Sequence, residues 1–171
     1  MDENKQQWLS IAAVVLVVGG LGYFLYKQSQ VPVDEDINID DIVAEEKADD
    51  LIESMNFEVP EDADRATLKD VSGGESIGVA TRQESEEGGR TYSLLAALPD
   101  PSSGEFYEGY MMESGEDDEV YLGKLRKAKG GWLLEYEGQS SLLESNPKVV
   151  ITLEKVDDET PETKVLEGAF N

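Results

Sequence analysis

Asp34, Asp36, Asn38 and Asp40, followed by Glu45, are the first residues in this chain whose types and spacing suggest chemistry. Oxygen donors at every second position and a carboxylate eleven residues after the first match the ligand spacing of a calcium-binding EF-hand loop. The match fails at the turn: the sixth position needs Gly and carries Ile39, and Asp41 adds a charge two places on. In so acidic a stretch the expectation is weak, diffuse association with divalent cations, and no metal site is assigned. Ser145 and Lys148 share the spacing of the acylating pair of penicillin-recognising enzymes, which must lie on one helix. Pro147 and the β-forming residues after Lys148 make that segment the start of a strand. The chain holds 38 Asp and Glu, but nothing in their order brings two of them to a defined separation in an apolar pocket, as acid–base hydrolysis requires. With no Cys and no His, disulfides, thiolate nucleophiles, imidazole bases and Cys/His zinc sites are excluded. No catalytic residue and no cofactor is expected.

An aromatic and sulfur-rich set remains: Phe106, Tyr107, Tyr110, Met111 and Met112, with Trp132 and Tyr136. Alternation in a strand sends Phe106 and Tyr110 to one face and Tyr107 and Met111 to the other. The first pair is expected in a core. Tyr107 and Met111 are then the candidates for a partner-binding surface.

These residues sit in a β-rich half. After Ala66, short alternating runs are separated by Gly, Pro, Ser and Asp clusters. Strands are predicted at about 67–71, 76–82, 90–98, 105–113, 118–126, 132–138, 148–155 and 164–170. Tyr92, Leu94, Ala96 and Leu98 share one face, as do Trp132, Leu134 and Tyr136, and Val149, Ile151 and Leu153. One apolar and one wet face is the pattern of an antiparallel sheet packed on a core. The fold class expected is all-β: an antiparallel β-sandwich of about six to eight short strands, with a small barrel as the related solution.

The segment before this domain is of another kind. Trp8 to Tyr26, WLSIAAVVLVVGGLGYFLY, contains no charge. As a helix it is roughly 28 Å long, close to the thickness of a bilayer's hydrocarbon core. It is longer than a secretory h-region and ends in Tyr23, Phe24 and Tyr26, which suit the membrane interface, so an uncleaved anchor is expected. From Lys27 to Asp62 thirteen Asp and Glu stand against two Lys, with Phe57 the one aromatic. High charge with little to bury predicts a flexible stalk over 27–65. Within it Ile39, Ile42, Val43, Leu51, Ile52 and Met55 allow a transient amphipathic helix. The domain plan is therefore a short cytoplasmic N-terminus (1–7), a transmembrane helix (8–26), the stalk (27–65) and an extracytoplasmic β domain (66–171). The expected location is the plasma membrane, single-pass, N-terminus inside. The partners expected are the lipid bilayer and a protein in the membrane or envelope. The formal charge of −24 repels phosphate backbones and argues against nucleic acid.

KDVSGG at 69–74, GVATR at 78–82, LPDP at 98–101 with FYEGY at 106–110, VVITLE at 149–154 and KVLEGAF at 164–170 together give the domain a family likeness. It resembles the C-terminal extracytoplasmic domain of anti-sigma-K factors, in a membrane-anchored version. The resemblance spans 66–171 and implies a β-sandwich-like domain on one transmembrane helix without enzyme activity. Such factors carry a sigma-binding region before the helix; here MDENKQQ precedes the apolar segment. A standard protein interface takes about 20–30 residues a side, so sigma binding is not carried over with the likeness. The function expected is a non-catalytic, membrane-anchored binding or sensing module. An accessory to an anti-sigma system is the alternative within regulation, and an extracytoplasmic hydrolase the alternative in another class.

Calcium titration followed by calorimetry should give a featureless response that does not saturate below about millimolar, the weak end of EF-hand affinities. A saturating micromolar isotherm would restore the Asp34–Glu45 loop as a true site.

Overall fold

The computed structural model describes residues 39–85, 89–112, 119–138 and 148–170. Trp8–Tyr26, Asp34, Asp36, Asn38 and Ser145 lie outside the described residues. Among the described residues no helix is long and apolar enough to cross a membrane.

The elements are one helix, α1 (Ile39–Met55), and nine strands: β1 (Asp64–Asp70), β2 (Ile77–Glu84), β3 (Arg90–Ala97), β4 (Phe106–Met112), β5 (Glu119–Lys124), β6 (Arg126–Ala128), β7 (Gly131–Gly138), β8 (Lys148–Glu154) and β9 (Thr163–Ala169). All pair antiparallel in one sheet of order β5-β4-β8-β9-β1-β2-β3-β7-β6. Eight of the strands fall where the alternation and turn residues predict them. The ninth arises because the run read as a single strand at 118–126 is divided. Its first half pairs with β4, and after Leu125 the chain pairs with β7. The two outer strands of the sheet are thus one bent segment, and the sheet must curl until they meet. The result is a nearly closed barrel in place of two stacked layers. Gly123, at φ 128°, and a register shift between Gly109 and Tyr110 supply the bend.

The lumen is lined by Leu68, Ala80, Tyr92, Leu94, Ala96, Leu134, Ile151 and Leu166, all buried, with Trp132, Tyr136 and Leu153 packed against them. The inward faces expected of β3, β7 and β8 are found. The expectation for β4 is corrected. Tyr107 and Met111, predicted at the surface, are 3% and 1% exposed and belong to the lumen, while Phe106 and Tyr110 take the outer phase. The reason lies between them. The predicted phase would put Glu108 inside an apolar barrel, where an uncompensated carboxylate is very costly. The observed phase puts Gly109 inside, where a Cβ would stand 3.0 Å from Leu94 Cδ2 and 3.2 Å from Leu134 Cδ1.

The second correction concerns the acidic stretch. From Ile39 the expected stalk is a 17-residue helix lying on the outer face of β1, β2 and β3, and by Asp64 it has become a strand. Ala44, Ala48 and Leu51 pack on Ile77, Val79 and Leu95, with Ile52, Met55, Phe57 and Leu133 around them. The seam runs on alanines, which let the helix approach closely, whereas Ile39, Ile42 and Val43 are exposed. Asp41, Glu45 and Asp49 face β1 and meet Lys69, Thr67 and Arg65 in turn; Glu45 accepts from Thr67 at 2.6 Å and Asp49 from Arg65 at 2.6 Å. This ladder follows from geometry: four helical residues rise about 6 Å and two strand residues about 6.6 Å, so acids at every fourth position match donors at every second. Such exposed pairs contribute at most about 1 kcal/mol each, so they set the register while the apolar seam supplies the stability. Asn56 ends the helix at φ 51°, with Phe57 N–H donating to the Ile52 carbonyl at 3.1 Å.

Leu51→Ala, at 4% exposure, should cost about 2–4 kcal/mol in urea unfolding of the full chain. An unchanged midpoint would mean that the helix is not docked in solution.

Candidate functional site

Two polar clusters stand out on the barrel, one on its outer wall and one at its end. The wall cluster belongs to β4, β5 and β8. Glu108, Tyr110, Thr152 and Glu154 are each fully buried although they lie on the outer phase. The opposite face of β8, read from sequence as wet, is therefore dry here. Tyr110 donates its hydroxyl to Glu108 Oε2 at 2.6 Å, and Tyr121 donates to Oε1 at 3.1 Å. Both carboxylate oxygens of Glu108 thus have fixed partners. Glu154 accepts the Glu162 N–H at 3.0 and 3.1 Å. Burial raises the pKa of the Glu154 carboxyl above its usual range, against the hydrogen bonds from Thr152 and Glu162 that favour its charge. Burial, and then the bond to Glu108, pushes the Tyr121 phenol up to about 12. Tyr110 is raised by the same two causes in the same order. Lys124 sits 4.2 Å from the Phe106 ring centre and pairs with Asp157 at 2.6 Å, so the nearby cation is already engaged. This arrangement is a polar brace between strands: the tyrosines occupy both oxygens of Glu108.

The end cluster is open. Asp64 on β1, Arg82 and Glu84 on β2 and Arg90 on β3 continue, at every second position, the inward series of Ala66, Ala80 and Tyr92. They gather where the β2–β3 hairpin turns. Arg82, 8% exposed, gives Nε and Nη2 to Asp64 Oδ2 at 3.0 and 2.6 Å. Its guanidinium lies over Phe170 at 4.6 Å. The remaining nitrogen, Nη1, is buried without a hydrogen-bond acceptor. Below it Tyr92 is fully buried, with Phe170 and Tyr136 rings 6.3 and 6.4 Å away. Burial raises the Tyr92 phenol, opposed by Arg90 and Arg82. Together Asp62, Asp64, Arg82, Gln83, Glu84 and Arg90 line a cavity of about 320 Å³. That size lies at the lower end of small-molecule sites, and the mouth of a β-barrel is a place where such sites occur.

A further cavity of about 400 Å³ lies between α1 and the β1–β2 turn. Its central acid is consumed locally. Asp70 accepts from Ser72 N and Oγ, Gly74 N and Ser76 N, and although burial opposes them these bonds hold its carboxyl down at about 2. The opposite barrel end is closed by aromatics: Tyr107 and Trp132 meet edge-to-face at 5.3 Å and donate to the Pro99 and Leu98 carbonyls.

Of the residues singled out from sequence, Tyr107 and Met111 are lumen residues and form no surface. Asp40 and Glu45 lie on α1, Glu45 already holding Thr67. Lys148 begins β8 and pairs with Glu167 at 2.6 Å. Among the described residues no group of three or more acids is placed to hold a metal ion. Arg82 and Arg90 were not foreseen. The available signal was their phase, since Arg82 continues the inward series of Ala80 and Arg90 that of Tyr92. No family model, curated protein or solved structure matches the chain.

Glu154→Gln keeps an acceptor for the Glu162 amide and removes the buried charge. An acid whose pKa is raised in the fold destabilises it increasingly as pH climbs above the unfolded value of 4.5. The variant should therefore melt higher than the parent at neutral pH, and the two should converge below about pH 4, where both side chains are neutral. A deficit of the same size at every pH would show that hydrogen bonding, not charge, governs this position.

Proposed function

We propose that this chain is a non-catalytic binding module, displayed outside the cell on a membrane anchor formed by Trp8–Tyr26. The observation that carries the reading is the barrel mouth: a cavity of about 320 Å³ lined, among the described residues, by side chains of both charges. Among the described residues the mouth holds guanidinium and carboxylate groups and no nucleophile beside a base, so recognition is the chemistry it suits. The likeness to the anti-sigma-K extracytoplasmic domain supports the same placement, with the barrel as a sensor on the outer surface.

The topology is tested by expressing the full chain with a C-terminal tag and adding protease to intact cells. The tag should be lost from cells that keep their cytoplasmic proteins whole, and the chain should stay with membranes in alkaline carbonate. A tag that survives, or a chain released by carbonate, would contradict the placement.

A further inference from the structure

We propose that the solvent face of α1 is a docking surface for a basic amphipathic helix of a partner protein. The partner's aliphatic side chains would rest on Ile39, Ile42 and Val43, and its Lys or Arg side chains on Glu46, Asp50 and Glu53. This surface lies apart from the barrel mouth and does not depend on a ligand there.

Helical geometry assembles the surface. At about 100° per residue, these six positions fall within one arc opposite Ala44, Ala48 and Leu51, which seat the helix on the barrel. The arc is divided along its length. Its first part is apolar: Ile39, Ile42 and Val43 are 72%, 54% and 43% exposed, and they are three of the five large exposed hydrophobics among the described residues. They stand at the i, i+3 and i+4 spacing by which helices anchor one another. Val43 also borders the cavity of about 400 Å³ that Ala44 and Ile77 line, a recess that one apolar side chain of the partner can enter. The second part of the arc is acidic. Glu46, Asp50 and Glu53 are exposed, and none has a hydrogen-bond or ion-pair partner among the described residues.

Charge identifies the occupant. Asp41, Glu45 and Asp49 meet donors on β1, but the outer row meets none. Glu46 and Asp50 set like charges at the i, i+4 spacing, and Glu53 stands in a last turn that has no basic residue to offset the helix dipole. A row of cations relieves all three placements at once. At a formal charge of −24, a second copy of the chain or an anionic lipid surface is repelled, whereas a basic partner is drawn in. A basic segment without apolar side chains would leave Ile39 and Ile42 wet, so the fitting partner carries both.

The test titrates the purified full chain, in zwitterionic detergent micelles, with a synthetic amphipathic helix of leucine and lysine, followed by amide NMR. One altered peptide carries glutamate for lysine and another carries serine for leucine. Titration of empty micelles corrects for partition of each peptide into detergent. The leucine–lysine peptide should saturate with shifts confined to α1 and its cavity, and each altered peptide should bind at least about tenfold more weakly. Ile42→Ser and Glu46→Lys change exposed side chains, and each should weaken the leucine–lysine peptide about tenfold with the spectrum otherwise unchanged. Val156→Ser, at a comparably exposed aliphatic after β8, should leave affinity unchanged. The serine peptide binding as tightly would reduce the face to a general acidic surface and overturn the proposal. So would shifts spread over the barrel, full affinity in both α1 variants, or an equal loss in Val156→Ser. Concentration-dependent shifts in α1 without peptide would assign the face to a second copy, and shifts on adding anionic lipid would assign it to a bilayer; either overturns the proposal.

Discussion

A single residue, Leu125, joins the two outermost strands of a nine-stranded sheet, and the architecture follows from that covalent limit. Strands paired to β4 on one side and β7 on the other cannot be one residue apart unless the sheet closes. Leu125 sits at the corner with its side chain buried and its N–H bonded to the Tyr107 carbonyl at 2.9 Å, which carries the β4–β5 ladder through the bend. Closure removes most of the free edge that an open sheet would expose to other chains. It also creates a narrow lumen, and the lumen imposes the remaining choices. Small residues are needed where walls approach, as at Gly109, Ala80 and Ala96. Charged residues of the inward phase can be tolerated only at an end, where Asp64, Arg82, Glu84 and Arg90 lie.

The same constraint accounts for the uneven distribution of charge. With 38 acids and 14 bases, most carboxylates must face water, and they do so on α1 and the turns. The exceptions are specific. Glu108, held by two tyrosines, and Glu154, holding the Glu162 amide, are buried, while Asp41, Glu45, Asp49 and Asp64 stay exposed and pair along β1 and with Arg82. Each has a defined donor, in keeping with the cost of burying a carboxylate without one. The arginines are matched less fully: Arg65 on the β1 ladder and Arg82 at the mouth both keep buried nitrogen without a hydrogen-bond acceptor.

How much of this could be read from sequence varies with the signal. Period-two alternation located eight strands and the inward faces of β3, β7 and β8, because their polar and apolar residues separate cleanly. The phase of β4 is not legible in this way because FYEGYMM is apolar in both phases; only Glu108 and Gly109 distinguish them, against the aromatic bulk of Phe106 and Tyr110. The helix was legible as a period but not as a docked element. Its seam uses Ala44 and Ala48, which carry little hydropathy, while the conspicuous Ile39, Ile42 and Val43 are exposed. Alternation allowed a sandwich or a small barrel alike, because closure depends on which strands pair across Leu125 and not on local pattern. The mouth was hidden for the same reason: Asp64, Arg82 and Arg90 are separated in the chain and converge only through the β1–β2–β3 register.

The closure claim is tested most directly by hydrogen exchange at the Leu125 amide in the full chain. If the bent segment seals the barrel, that N–H exchanges as slowly as amides in the middle of β3 and β8, because it opens only when the barrel does. Exchange as fast as an exposed turn amide would mean that β5 and β6 fray apart and that the sheet is open.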